Sequence, residues 1–161
     1  MSTHGSSQSR DDLIGALSAG FFLILVGTLF IVTPGLFNDI VNFLRNFDVV
    51  QVSHFAAGFF LPAPKNPRMH VTVYSAAMQF SLAWGLFLIG ILVVRIFAHS
   101  PLRRKAENAS HIVFWLIASY LISIFLNNAT TIMLWFAFWA AIIILIGITL
   151  IVRAAVLAVF R

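Results

Sequence analysis

Four long apolar runs dominate the pattern of hydrophobic and polar positions along the chain. They cover residues 13–33, 71–94, 111–128 and 132–152, and none of them contains an acidic residue. Because a helix rises about 1.5 Å per residue, about 20 apolar residues cross a hydrocarbon layer of about 30 Å. The third run is the shortest, and its end at Asn127 and Asn128 makes its limits the least secure. We therefore predict an all-α integral membrane protein built as a four-transmembrane-helix bundle.

The overall composition supports the same class. Apolar residues make up 61% of the chain and charged residues 9%, whereas a globular domain has about half and a quarter. The 161 residues leave room for one membrane domain, residues 13–161, after a polar tail, residues 1–12, that we predict to be flexible. Cysteine is absent, which excludes disulfides, thiolate metal sites and thiol catalysis.

The distribution of Lys and Arg predicts an orientation, because these residues are retained on the cytoplasmic side of a membrane. Only Arg45, Lys65 and Arg68 of the ten basic residues lie in the connector over 34–70. The other seven flank the termini or the connector over 99–110. We therefore predict that both termini and the second connector are cytoplasmic, that the first connector is external, and that the protein lies in the cell membrane. This topology accounts for the net charge of +5 without a nucleic-acid partner.

The external connector carries a pattern of its own. Pro34 and Gly35 end the first run, and apolar residues then recur at helical spacing among polar ones over residues 36–47. That pattern predicts an amphipathic helix lying in the membrane interface. Residues 49–52 fit a short extended segment, and the three prolines of residues 62–67 exclude a continuous helix.

Three aromatic residues in this connector, Phe55, Phe59 and Phe60, form an apolar stretch too short to span a membrane. Exposed on an external surface they would be a liability. We predict that they form a surface that docks to a partner. The alternative is a cap over the protein's own bundle. For the amphipathic helix before them, the alternatives are a lid or partner-docking face and a plain strap between two spans, and the strap is favoured.

Small residues recur at helical spacing in all four runs, which allows helix backbones to approach closely. We expect these stripes to pack the bundle, within one chain or between chains. Their members are Ala16, Gly20 and Gly27 in the first run, Ala77, Ser81 and Gly85 in the second, Ser119 and Ser123 in the third, and Ala137 and Ala141 in the fourth.

Polar residues within the runs are few. Gln79 lies in the second run with Ser81, and Ser119 and Ser123 lie in the third. Polar groups are costly in hydrocarbon, so we expect intramembrane contacts among these four side chains. They are either structural hydrogen bonds between helices or the lining of a path for a solute.

Histidines offer two pairs, His99 with His111 and His54 with His70, that could approach one another across the connectors. Facing histidines can hold haem or a metal, but their positions at helix ends favour ordinary interfacial roles. The sequence also lacks a phosphate-binding loop, a zinc-protease motif and a triad of nucleophile, base and carboxylate. We predict no catalytic residues, no metal and no cofactor.

These observations favour a non-catalytic accessory or scaffolding subunit that docks through its external connector, forming a homo-oligomer or hetero-oligomer in the lipid bilayer. One alternative is a small oligomeric channel or carrier with a polar path near Gln79. A second alternative is a membrane anchor associated with haem or quinone. Four-span topology alone selects none of the three.

Overall fold

The computed structural model describes residues 4–51 and 60–159, with side chains from Asp12 onward. The described chain is mostly helical. In chain order its elements are α1 (His4–Val32), α2 (Leu36–Arg45), β1 (Phe47–Gln51), β2 (Phe60–Pro64), a short 3₁₀ helix (Pro67–His70), α3 (Val71–Phe97), α4 (Leu102–Phe125) and α5 (Ile132–Val159).

Four helices of the described chain, α1, α3, α4 and α5, are long and apolar enough to cross a membrane. They contain the second and fourth predicted apolar runs in full and most of the other two. Helix α1 ends at Val32, one residue before the predicted limit, and α4 ends at Phe125, three residues before the predicted limit at 128. The third run, which is short by its apolar residues alone, belongs to a helix of 24 residues, or about 36 Å at the helical rise. The first two turns of this helix carry Arg103, Arg104, Lys105 and Glu107, so its apolar part remains the shortest of the four.

All four of these helices extend beyond a predicted limit at one end, α3 by three residues to Phe97. Helix α4 begins at Leu102 after Pro101, because the charged residues that follow are strong helix formers. The predicted connector over 99–110 is thus reduced to a turn at residues 98–101. Helix α1 begins at His4, so the tail predicted to be flexible over 1–12 is helical wherever it is described. Helix α5 continues to Val159 because neither Gly nor Pro interrupts its last turns.

The connector between α1 and α3 is folded. Gly35 has a φ of 81°, a left-handed conformation that glycine adopts readily, and it turns the chain from α1 into α2. As predicted, α2 is an amphipathic helix: Leu36 and Ile40 pack against Leu29 of α1, while Asn42 is exposed. Strands β1 and β2 then form an antiparallel two-stranded hairpin, as the extended pattern of residues 49–52 suggested in part.

Helices α3 and α4 form the best-buried helix pair. A third of the apolar segment of α4 is buried, against 6% for α1 and for α5. At Gly85 of α3 the two backbones approach so closely that an added Cβ would lie 2.7 Å from the Leu116 side chain of α4. Above and below this contact, the Asn108 side chain donates to the Leu88 carbonyl at 2.9 Å, and the Ser119 hydroxyl donates to the Met78 carbonyl at 3.1 Å.

Helix α1 meets α3 through aromatic rings. Phe21 stacks on Phe87 with centroids 4.0 Å apart, and Phe22 lies edge-on to Trp84 at 5.9 Å. Gly15, Gly20 and Gly27 of α1 have no neighbour within 4 Å of an added Cβ. In the predicted stripe of α3, Ser81 and Gly85 are buried while Ala77 is exposed. Close packing at a small residue is therefore seen at Gly85, against α4, and not at these three glycines of α1.

Candidate functional site

The hairpin of β1 and β2 is the most distinctive structure outside the long helices. Its register pairs Val49 with Pro62 and Phe47 with Pro64. A proline has no N–H to give to a neighbouring strand, so it fits a strand only where that group would not be paired. Both prolines alternate with residues that do pair, and the Lys65 N–H continues the ladder to the Asn46 carbonyl at 2.9 Å. The proline-rich segment thus forms a strand that ends in a defined turn.

The hairpin carries mainly apolar side chains on both faces, with Asp48 on one face and Gln51 on the other. Residues directly opposite each other share a face, and the faces alternate along each strand. On the inner face, Val50 and Ala63 pack on the main hydrophobic core. On the outer face, Val49 is 64% and Phe60 55% exposed. A hairpin with one face in water would present polar side chains there, so this outer face is suited to contact with another apolar surface.

An open aromatic groove of about 430 Å³ lies beside the hairpin, where β1 and β2 approach the first turns of α5. Its floor contains the buried indole of Trp135, and its rim contains Trp139, which is 49% exposed. The groove and the outer hairpin face join at Phe47 and Pro62. Its lining residues are Phe43, Phe47, Leu61, Pro62, Trp135, Phe136 and Trp139.

Polar groups are buried beneath this surface around Phe43 of α2. The ring of Phe43 lies 5.1 Å from that of His70, 5.9 Å from Tyr74 and 6.0 Å from Trp135. The Nε2 atom of His70, the hydroxyl of Tyr74 and the Nε1 atom of Trp135 are buried without a hydrogen-bond partner in the protein. Buried polar groups destabilise a fold when they remain unpaired. These three lie where Phe43 of α2 packs against α3 and α5.

A polar cleft of about 430 Å³ lies on the other side of α2. It combines one acidic, one basic and several neutral polar groups, so no single charge dominates it. The lining residues are Asp39, Asn42, Arg45, Asn46, Met69 and His70.

An ion pair at the edge of the hairpin fixes its two strands. The Lys65 ammonium lies 3.1 Å from Asp48, and the Val49 N–H donates to the same carboxylate at 2.8 Å. The backbone hydrogen bond from Val49, followed by the Lys65 interactions, lowers the pKa of Asp48 below its usual value. Both groups are more than half exposed. Because Asp48 is opposite Ala63 in the register, the ion pair lies at the exposed edge of the inner face, on the side of the hairpin that carries Val50 and Ala63.

Of the three predicted docking residues, the structure describes only Phe60. Phe60 lies in β2 with its side chain exposed. Phe55 and Phe59 belong to residues 52–59, which lie outside the described part of the chain. In sequence, these residues lie between β1 and β2, the two strands that carry the outer face.

The four predicted intramembrane polar residues do not form a single group. Ser81 is buried and its hydroxyl donates to the Ala77 carbonyl of its own helix. Ser119 is buried between α3 and α4, where it donates to α3. Gln79 is exposed on α3, and Ser123 is exposed and donates to the Tyr120 carbonyl one turn earlier. Of the four, only Ser119 makes a hydrogen bond between helices. Ser81 and Ser123 bond within their own helices, and Gln79 and Ser123 are exposed.

The histidines are placed separately. His99 has a φ of 51° and ends α3, where the Ser100 N–H donates to the Arg95 carbonyl at 3.1 Å, a common way to close a helix. His111 is exposed on α4, and His70 is buried beneath α2. His54 lies outside the described residues. Within residues 4–51 and 60–159, no group of three or more His, Cys, Asp or Glu side chains is arranged to hold a metal ion.

Two polar contacts were not foreseen from the sequence. Asn108 lies in the segment that we expected to be a loop, and its hydrogen bond to α3 is buried. Glu107 in the same segment pairs with Arg153 of α5 at 2.8 Å. The spacing of Glu107 and Arg103 on a continuous helix was the available signal, since charges four residues apart favour helix.

Neither a family model, nor a curated protein, nor a solved structure matches this chain.

Proposed function

We propose that the protein is a non-catalytic, multi-pass membrane subunit that docks to another polypeptide through the outer hairpin face and the aromatic groove. The observation that carries this proposal is the exposure of apolar side chains on a hairpin whose opposite face is already packed on the core. Lipid contact accounts for exposed side chains along the long helices. Lipid contact along those helices does not explain the exposed apolar face of the folded connector.

The shape of this surface supports a protein partner. Phe60, Val49 and Trp139 supply exposed apolar area, and exposed Gln51, opposite Phe60 in the register, adds a polar group at one end of the outer face. An apolar centre enriched in aromatic residues with a polar rim is the usual anatomy of a protein interface. The hairpin and α2 are held on the core before binding, which lowers the entropy cost of association.

We also propose that the four long helices cross the cell membrane as a bundle, with both termini cytoplasmic and the hairpin external. The distribution of basic residues supports this orientation. Because the chain has no cysteine, single cysteines at Gln51 and at Ser100 can be labelled with a membrane-impermeant maleimide in intact cells. We expect labelling at Gln51 alone before lysis, and labelling at Ser100 alone would reverse the orientation.

The docking proposal can be tested by placing a photoreactive phenylalanine analogue at Phe60 in the full chain and irradiating native membranes. We expect a discrete crosslinked product that contains a second polypeptide. The matched control is Ile143, which is 69% exposed in the middle of α5 and should crosslink mainly to lipid.

The proposal would be abandoned if Phe60 gave only lipid adducts or crosslinks within its own chain. A product of twice the chain mass would identify a second copy as the partner. Comparable protein adducts at Phe60 and Ile143 would also count against a specific docking face.

A further inference from the structure

A second cleft, of about 290 Å³, lies between α4 and α5 at their ends away from the hairpin. Its side chains are sorted by polarity along the helices. Phe114 and Leu150 lie toward the middle of the helices, whereas Glu107 and Arg153 lie toward their ends. The full lining is Glu107, Ser110, His111, Phe114, Thr149, Leu150 and Arg153.

The polar end of this cleft lies at the depth of a lipid headgroup. Along α5, the distance from its first residue, Ile132, to Arg153 is about 32 Å at the helical rise. Along α4, the distance from Glu107 to its last residue, Phe125, is about 27 Å. These lengths are close to the thickness of the hydrocarbon layer, about 30 Å. In the membrane crossing proposed above, on which this inference rests, the start of α5 lies at one membrane interface and the cleft opens at the opposite membrane interface.

The charges around the cleft leave an excess of positive charge. The Glu107 carboxylate lies 2.8 Å from the Arg153 guanidinium and 3.4 Å from that of Arg103, so two cations share one acid. A guanidinium has five N–H donors, and the hydrogen bond to Glu107 uses one of those on Arg153. The Arg153 side chain is 39% exposed, which leaves its remaining donors accessible.

The other polar groups of the cleft differ in whether they can donate a hydrogen bond to a ligand. The hydroxyl hydrogens of Ser110 and Thr149 are donated to carbonyls of their own helices at 2.8 and 2.7 Å. Exposed His111 adds a ring N–H within the lining. Donors for an anionic ligand therefore come chiefly from Arg153, with His111 beside it.

We propose that this cleft binds the phosphate group of an anionic phospholipid, with Arg153 as the main donor. Guanidinium groups recognise phosphate through paired hydrogen bonds, and basic pockets between membrane helices hold anionic headgroups. Phe114 and Leu150 provide an apolar continuation of the cleft for the start of an acyl chain. Glu107 competes with the phosphate for Arg153 and sets the affinity.

Native mass spectrometry of the full chain in detergent, titrated with dioleoyl phosphatidylglycerol or dioleoyl phosphatidylcholine, tests the proposal. We expect tighter binding of the anionic lipid. Arg153→Gln should weaken phosphatidylglycerol binding about fivefold, the usual contribution of one basic residue near a membrane surface. Glu107→Gln should strengthen it, because the competing carboxylate is lost. Arg45→Gln removes the same charge on the hairpin side and should leave it unchanged.

The opposite signs of the two cleft variants separate lipid binding from a purely structural ion pair. Weaker phosphatidylglycerol binding in both Glu107→Gln and Arg153→Gln would overturn the proposal, as would equal losses in Arg153→Gln and Arg45→Gln. If Arg153→Gln fails to fold by circular dichroism, the gain expected in Glu107→Gln still decides the matter. Glycerol 3-phosphate that binds as tightly as phosphatidylglycerol would identify a free-anion site and overturn the lipid assignment.

Discussion

The close approach of α3 and α4 at Gly85 yields a sharp prediction for Gly85→Ala. An added Cβ would lie 2.7 Å from Cδ2 and 3.1 Å from Cγ of Leu116, well inside the usual carbon contact distance of about 3.5–4.0 Å. The backbone N of Leu116 would lie 3.4 Å from the same Cβ, so the α4 backbone itself, and not only the Leu116 side chain, is close to Gly85. Either Leu116 leaves its rotamer or the helices move apart.

Gly90→Ala is the matched control. Gly90 lies in the interior of the same helix, with no atom within 4 Å of an added Cβ. Replacing glycine by alanine in a helix interior stabilises the helix by roughly 1 kcal/mol, and this gain applies to both variants. It cancels in their difference, which leaves the cost of overpacking, about 1–3 kcal/mol. We expect Gly85→Ala to be less stable than Gly90→Ala by about that amount.

Reversible unfolding in mixed micelles with increasing dodecyl sulfate, followed by far-ultraviolet circular dichroism, measures this difference. The double variant Gly85→Ala/Leu116→Ala should recover part of the loss, since it removes the atoms that the new Cβ meets. A double-mutant cycle isolates that coupling. Equal stability of Gly85→Ala and Gly90→Ala, or the absence of coupling to Leu116, would refute the close helix contact.

Two further predictions follow from polar contacts. Ser119→Ala should destabilise the protein by about 0.6 kcal/mol, a typical value for a hydrogen bond between membrane helices. Ser123→Ala should change the stability little, because its hydroxyl bonds within its own helix. The same unfolding assay compares the two variants, and equal effects would contradict a hydrogen bond from Ser119 to α3. A nuclear magnetic resonance titration should give Asp48 a pKa below its usual value, and Lys65→Gln should raise it only partly, because the neighbouring backbone N–H still donates. Since the pKa is lowered by folding, the carboxylate stabilises the hairpin above its ordinary pKa, and that contribution disappears as the pH falls through the lowered value.

Much of the fold follows from the order of residues alone. Runs of about 20 apolar residues without carboxylates predict four long helices, because the length and polarity of a single segment decide whether it can cross a membrane. The amphipathic helix over Leu36–Arg45 follows from the same kind of local periodicity. The limits of α4 did not, since the charged segment after Pro101 has no apolar period and continues the helix through propensity.

The candidate sites depended on contacts between distant segments. The sequence determined that Phe60 and Val49 are apolar residues of the connector between α1 and α3, but only the pairing of β1 with β2 decided that both lie on the outward face. It also determined that Glu107, Arg103 and Arg153 are charged, while only the packing of α4 on α5 placed two cations on one carboxylate beside an amphipathic cleft. Local patterns fix which segments enter the membrane because each helix satisfies its own backbone hydrogen bonds. Sites arise where helices meet, and those meetings are set by shape and tertiary packing.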